Sequence, residues 1–256
     1  MLNYDGGDRG WSKYNQYRHY QTDWLGFNGD WKLFDNGKPI ILHESVSVMG
    51  EYVYELCSKF NKSKVYTYIK PLNNIGPFIH VSIPYDLDII RESEVVKNPL
   101  DRINAAFYSF KDKKFDVTSG GCLLSSIPWI NSYNVRYDII NNKLAERPVI
   151  GSTLNDKINE SKKYKYSMVC ENCIIDGYIS EKLLDAIAAD TVPVYIGAML
   201  PPYLEDVVIR PRDYPKIQEI SDVSYLEKLD KVRKLRDSYE LSKQFDYKLF
   251  WEKLGY

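Results

Sequence analysis

Residues 164–197, YKYSMVCENCIIDGYISEKLLDAIAADTVPVYIG, hold five polar side chains at a spacing that suits an anionic ligand: Glu171, Asn172, Tyr178, Glu181 and Lys182. The apolar run 165–170 reads as a buried strand, and 178–189 as a helix with Leu183, Leu184 and Ile187 on one face. Residues 192–197 read as a second strand. In such a strand–helix–strand unit, ligands gather at the carboxyl end of the first strand and the start of the helix. Glu171 and Asn172 end that strand. Tyr178, Glu181 and Lys182 fall at the helix start, where backbone N–H groups and the dipole favour an anion. Lys182 adds a full positive charge there, as a site for a nucleotide diphosphate requires. Taken singly, a Glu-Lys pair on a first turn is an ordinary solvated pair and Tyr178 an ordinary packing residue. The joint pattern is what points to chemistry.

The elements that must position these residues follow from the rest of the chain. Residues 39–43 form a short apolar run, 52–60 are helix-like, and 64–69 are rich in β-branched and aromatic residues, which together give a βαβ rhythm. A second rhythm starts with a strand at 87–96. Asn98 and Pro99 then suit the cap and first turn of a helix over 100–110. From Tyr225 onward the chain is helical and amphipathic, with Leu226, Leu229, Val232 and Leu235 on one stripe and Phe245, Leu249 and Leu254 on a later one. Helices alternating with short apolar strands predict an α/β protein of two Rossmann-like domains, the first reduced, meeting near residue 85. The expected divisions are 1–85, 86–222 and a helical 223–256.

Composition narrows the class of function. The 256 residues are 44% hydrophobic, enough for a buried core in each domain, and the net charge is −1 with no basic stripe, so nucleic acid is not an expected partner. The start of the sequence lacks the basic and apolar regions of a signal peptide, and no stretch approaches the ~20 apolar residues of a membrane span. These features lead to the expectation of a cytoplasmic protein without a transmembrane segment. The four cysteines, Cys57, Cys122, Cys170 and Cys173, are too few for a disulfide scaffold. Cys170 and Cys173 make a CxxC, but no second CxxC or nearby His completes a zinc site, so two small half-buried residues are the expected reading. Trp11, Tyr14, Tyr17, Tyr20, Trp24, Phe27 and Trp31 cluster near the start, either to pack an irregular shell or to stack on sugars.

The 164–197 pattern resembles the α1,3-fucosyltransferase family, whose donor motif is a strand ending Phe-Glu-Asn, a loop, Tyr-Val-Thr-Glu-Lys, a helix and a Val-Pro-Val strand ending in Gly. Here Cys170 stands for the Phe, Ile179 for the Val and Ser180 for the Thr. Tyr164-Lys165-Tyr166 resembles the Tyr-Lys-Phe of bacterial members. Asn98-Pro99, Ala106-Phe107-Tyr108 and residues 117–121 resemble that group's upstream helix and glycine turn. The resemblance covers residues 90–220 and implies a GT-B-like fold and a GDP-fucose donor, with no demand for a divalent metal. Tyr178 and Glu181 would contact the guanosine and fucose portion, with Glu171 and Asn172 beside them, and Lys182 would neutralise the diphosphate. Arg102 is the nearest candidate for the family's diphosphate arginine, although Asn104 stands at the spacing measured from Ala106-Phe107-Tyr108.

Members of this family invert the anomeric centre without a covalent intermediate, so a carboxylate must take the acceptor's proton while cations hold the departing GDP. The family's base is a Glu of the N-terminal domain, often in Glu-Ser after a strand. Glu44-Ser45 and Glu92-Ser93 both fit, and Glu44 has the expected domain. The implied partners are a nucleotide sugar and a glycan acceptor, as in glycan biosynthesis or protein glycosylation. A related transferase using another nucleotide sugar, or a non-catalytic glycan-binding descendant, fits the same residues.

Overall fold

The apolar run that ends at Cys170 lies at the centre of a sheet. All seven residues of β8 (Tyr164–Cys170) are buried, as expected of a parallel strand covered on both faces. The computed structural model of the protein describes residues 21–22, 35–37, 39–42, 58–68, 70, 77–107, 139–140, 143–144, 154–171, 174–210 and 220–254. Within these, β5 (Ile103–Phe107), β8 and β9 (Val192–Ile196) form a parallel sheet in the order β5-β8-β9. Tyr166 pairs with Val192 and Cys170 with Ile196. Pro193 fits inside β9 because the residues that face β8 are Val192, Val194 and Ile196. Pro193 and Tyr195 face instead the short bridge at Ile209, whose N–H donates to the Pro193 carbonyl at 2.8 Å.

A second parallel sheet comes earlier in the chain, in sequential order: β1 (Gln21–Thr22), β2 (Ile40–Leu42), β3 (Val65–Thr67) and β4 (Phe78–His80). Asp35 ties the approach to β3, its carboxylate accepting from the amides of Asn61, Lys62 and Ser63 at 2.7–3.0 Å. Among the described residues β6 (Ile139–Ile140) pairs antiparallel with β7 (Lys143–Leu144) and with no strand of either sheet.

Two expectations for the linking region are corrected. Residues 87–96 do not form a strand: Leu87–Glu92 is helix α1, capped by the Asp86 carboxylate on the Asp88 amide, with Leu87 and Ile90 buried on one side. A short apolar run does not by itself distinguish strand from helix. Residues 100–110 do not form a helix: Pro99–Asp101 is a single 3-10 turn, and β5 follows it. Pairing with β8, which sets Ile103 beside Tyr164 and Ala106 beside Tyr166, outweighs the helical preference of the two alanines.

Helices α2 (Leu154–Ser161) and α3 (Glu181–Ala188) pack beside β8 and β9. Leu183, Leu184 and Ile187 of α3 are fully buried with Leu87, Ile158, Val169 and Leu204, the last from α4 (Pro202–Glu205). Each such side chain contributes roughly 1.5–3 kcal/mol relative to exposure. Buried hydroxyls at the amino end of the sheet are satisfied in series. Thr191 donates to the Ala186 carbonyl at 3.0 Å, so it accepts from Ser167 at 2.6 Å, which in turn accepts from Ser161 at 2.6 Å.

Helices α5 (Asp222–Arg236), α6 (Tyr239–Phe245) and α7 (Tyr247–Leu254) close the chain. The inner stripe of α5 is Tyr225, Leu229 and Val232, then Leu235 and Arg236. Tyr225 takes the place expected of Leu226, which is 38% exposed. The chain then returns to the first sheet. The Tyr85 amide donates to the Phe245 carbonyl at 2.7 Å, and Tyr247 and Phe250 pack with Tyr66, Tyr68, Val81 and Ile83. Among the described residues no helix is long and apolar enough to cross a membrane.

Candidate functional site

Glu171 leaves the carboxyl end of β8 and is fully buried. Its amide donates to the Ile196 carbonyl at 2.9 Å, and its Oε1 accepts from the Ser180 amide at 3.0 Å. It therefore fixes the residue that begins α3 against the end of the sheet. Ser180 in turn caps α3, its Oγ accepting from the Lys182 amide at 3.3 Å. The Lys182 ammonium donates to the same Oγ at 3.3 Å and lies 3.7 Å from a Glu181 carboxylate oxygen. Both side chains keep a foot in solvent, 26% for Lys182 and 14% for Glu181. A cation in the first turn, added to the positive end of the helix dipole, can hold a phosphate oxygen.

Lys182 also lines a small cleft between α2 and α3 with Phe107, Lys157 and Asp185. There Lys157 pairs with Asp185 at 2.7 Å, and Asp185 accepts from the Tyr85 hydroxyl at 2.9 Å. The loop after β9 is held just as firmly. Arg210 donates to the carbonyls of Gly197 at 3.0 Å and Ala198 at 2.9 Å, pairs with Glu205 at 2.6 Å and stacks over the Tyr195 ring. Gly197 has no space for a side chain: a Cβ would lie 2.6 Å from the Tyr195 hydroxyl and 2.8 Å from Glu171 Cγ.

Burial governs the protonation of this end of the sheet. It pushes the Glu171 carboxyl up to about 7 from an ordinary 4.5, against the pull of the Lys182 ammonium and the Ser180 hydrogen bond. Burial likewise pushes the Cys170 thiol up to about 12, so that at neutral pH Cys170 is neither a thiolate nucleophile nor a thiolate ligand. Its CxxC partner, Cys173, lies outside the described residues. Among the described residues no group of three His, Cys, Asp or Glu side chains comes together to hold a metal ion.

The carboxyl ends of both sheets meet here. Lys70, just past β3, donates its amide to the Asp176 carbonyl at 2.8 Å, and His80, the last residue of β4, contacts the Gly177 carbonyl through Nε2 at 3.1 Å. These contacts escape sequence reasoning, since neither residue carries a motif. Ser180 was also missed as a cap, since the expected helix over 178–189 takes it inside; a serine immediately before Glu181-Lys182 is the signal that could have found it.

The other expected site residues have different places. Tyr178 is buried in the apolar cluster with Tyr66, Tyr68, Tyr247 and Phe250. Arg102 is not brought together with the others. It lies at the amino end of the sheet, where its guanidinium donates to the Asp190 carbonyl and to an Asp190 carboxylate oxygen at 2.9 Å, both groups being buried. Asp190 adopts φ +54° there and also takes Arg233 at 2.8 Å. Glu92 is exposed at the end of α1. Glu44, Asn172 and the aromatic cluster at 11–31 lie outside the described residues.

Comparison with known proteins agrees with this segment. Residues 139–252 match the family model for Glycosyltransferase family 10 (fucosyltransferase) C-term, somewhat less than half of the chain. A fucosyltransferase-like protein of Arabidopsis thaliana is 32% identical over 68 residues, 27% of this chain and 13% of that protein. GDP-fucose protein O-fucosyltransferase 3 of Danio rerio is 36% identical over 74 residues, 27% of this chain and 15% of that protein. The match thus spans about one seventh of the length of these curated relatives. No solved structure matches. The stretch that contains β8, α3 and β9 is therefore similar to the C-terminal domain of the family 10 glycosyltransferases, the fucosyltransferases.

Proposed function

We propose that this chain is an inverting glycosyltransferase of the α1,3-fucosyltransferase type, with a GT-B-like pair of parallel sheets and GDP-fucose as donor. One observation carries the reading: Lys182, capped through Ser180 and anchored through Glu171, stands at the carboxyl end of β8 inside the stretch that matches the family 10 C-terminal domain. The acceptor hydroxyl attacks the anomeric carbon, the bond to the phosphate oxygen breaks, and GDP leaves with the electron pair. Lys182 and the α3 dipole face the charge that develops on the leaving phosphate. Glu44 is the proposed base that takes the acceptor proton.

A second reading keeps the diphosphate site and changes the sugar. It is favoured by Tyr178, a residue that the resemblance assigns to the donor but that is packed under aromatic neighbours here. The acceptor is a hydroxyl of a glycan or, given the name of one relative, of a protein.

Incubation with GDP-fucose, GDP-mannose and UDP sugars, followed by measurement of released nucleotide, separates the readings. GDP release from GDP-fucose with a glycan acceptor supports the first, release from another nucleotide sugar supports the second, and glycan binding with no nucleotide release indicates a non-catalytic descendant.

A further inference from the structure

The loop from Ile174 to Ser180 connects β8 to α3, yet part of it is held from outside its own sheet. Asp176 is fixed to Lys70 twice, by the backbone bond and by an ion pair of 3.3 Å. The ion pair is exposed and adds little; the backbone bond sets the geometry. His80 holds the next residue. A carbonyl oxygen can only accept, so His80 Nε2 carries the proton that reaches the Gly177 carbonyl. Burial holds the His80 imidazole below its ordinary range, so this ring is neutral at physiological pH. Gly177 itself has φ +83°. A Cβ there would lie 2.7 Å from His80 Nε2, 2.7 Å from Lys70 Cγ and 2.9 Å from the Lys70 amide nitrogen. Only glycine allows so close an approach. Three residues later, Ser180 donates its amide to the Glu171 carboxylate, and its Oγ accepts from the Lys182 amide.

The geometry points to Lys70 and His80 as positioning residues of the donor site. By clamping Asp176 and Gly177 from the ends of β3 and β4, they set where Ser180 and Lys182 meet the diphosphate without touching it. The first sheet thereby tunes donor affinity in the second. This inference rests on the proposed diphosphate site at Lys182.

The test uses the full chain as wild type, His80→Ala, His80→Gln and Gly177→Ala, each titrated calorimetrically with GDP, with hydrogen exchange followed at the Lys70 amide and in residues 174–182. Loss of the single hydrogen bond in His80→Ala is expected to weaken GDP about tenfold and to release protection at Lys70 and in the loop. The Gln side chain carries an N–H to a similar reach and is expected to restore both, a rescue that a merely structural defect would not show. Gly177→Ala is expected to weaken GDP further, and should it fail to fold, the two His80 variants still decide. Wild-type affinity in His80→Ala with the loop released would overturn the positioning role. No GDP binding by wild type, with the loop protected as described, would refute the diphosphate site itself and the inference with it.

Discussion

Glu171→Gln should make this protein more stable, and only above a certain pH. The Glu171 side chain is fully buried. Its Oε1 accepts from the Ser180 amide, while Oε2 has no hydrogen-bond partner among the described residues. The Tyr195 hydroxyl, also buried and without a hydrogen bond of good geometry among the described residues, crowds the same point beside Gly197 and interacts with the Glu171 carboxyl. Lys182 pulls the carboxyl down, Glu181 pushes it up, and Cys170 and the Tyr195–Arg210–Glu205 group lie around it. Burial dominates and raises the carboxyl to about 7 from 4.5. A carboxyl raised in the folded state binds its proton more tightly there than in the unfolded chain. Its contribution is therefore complete below 4.5 and is lost as pH climbs from 4.5 through about 7. The full gap corresponds to ~3 kcal/mol. Glutamine keeps the oxygen that Ser180 needs, offers an N–H to the Tyr195 hydroxyl, and never ionises. At pH 8 the variant should gain ~3 kcal/mol, roughly 6–12 °C in Tm for a chain of this size, and the advantage should shrink to under ~1 kcal/mol at pH 5. Thermal melts of both proteins across pH 5–8 measure this. A variant that is less stable at pH 8, or a difference that does not change with pH, would refute the burial argument.

Two further outcomes follow from the same geometry. Arg102→Ala removes half of a buried ion pair from Asp190 and should lower stability by ~3 kcal/mol, while the folded fraction keeps its GDP affinity. Denaturant melts beside a GDP titration check it, and a selective loss of GDP binding at unchanged stability would return Arg102 to the donor site. Cys170, buried with its thiol pushed up to about 12, should resist iodoacetamide in the folded protein at pH 8 and react once the chain is unfolded. Peptide mapping by mass spectrometry reads both states, and rapid native modification would contradict the burial.

The stretch from β8 to β9 was legible because its signals agree. An apolar strand, a helix with Leu183, Leu184 and Ile187 on one side, and a Val-Pro-Val strand each carry their own period. The linking region was not. Leu87 to Ile90 is too short a run to declare a period, and the alanines of β5 favour a helix until β8 supplies a strand to pair with. Tyr225 replaces Leu226 on the α5 core face because the sheet beneath presents the Tyr166 ring, which meets Tyr225 edge-on at 5.4 Å. Strands of two or three residues, as in β1 and β4, hold too few side chains for alternation to register. Among the candidate residues, the places of Glu171, Glu181 and Lys182 at element ends were legible in the sequence. Lys70, His80 and Gly177 were not, since their contacts span about 100 residues and exist only once both sheets are assembled. Tyr178 could not be placed by pattern either, because the aromatic cluster that buries it draws on β3, the segment after β4, and α7.

The start of α3 is the proposed site for the diphosphate of a guanine nucleotide sugar. Isothermal titration of wild type and Lys182→Ala with GDP, and with UDP as the control, tests it most directly. Saturable GDP binding by wild type, at least tenfold weaker in Lys182→Ala and absent with UDP, is the predicted result. Equal GDP binding by both proteins, or no binding of either nucleotide by wild type, would contradict it.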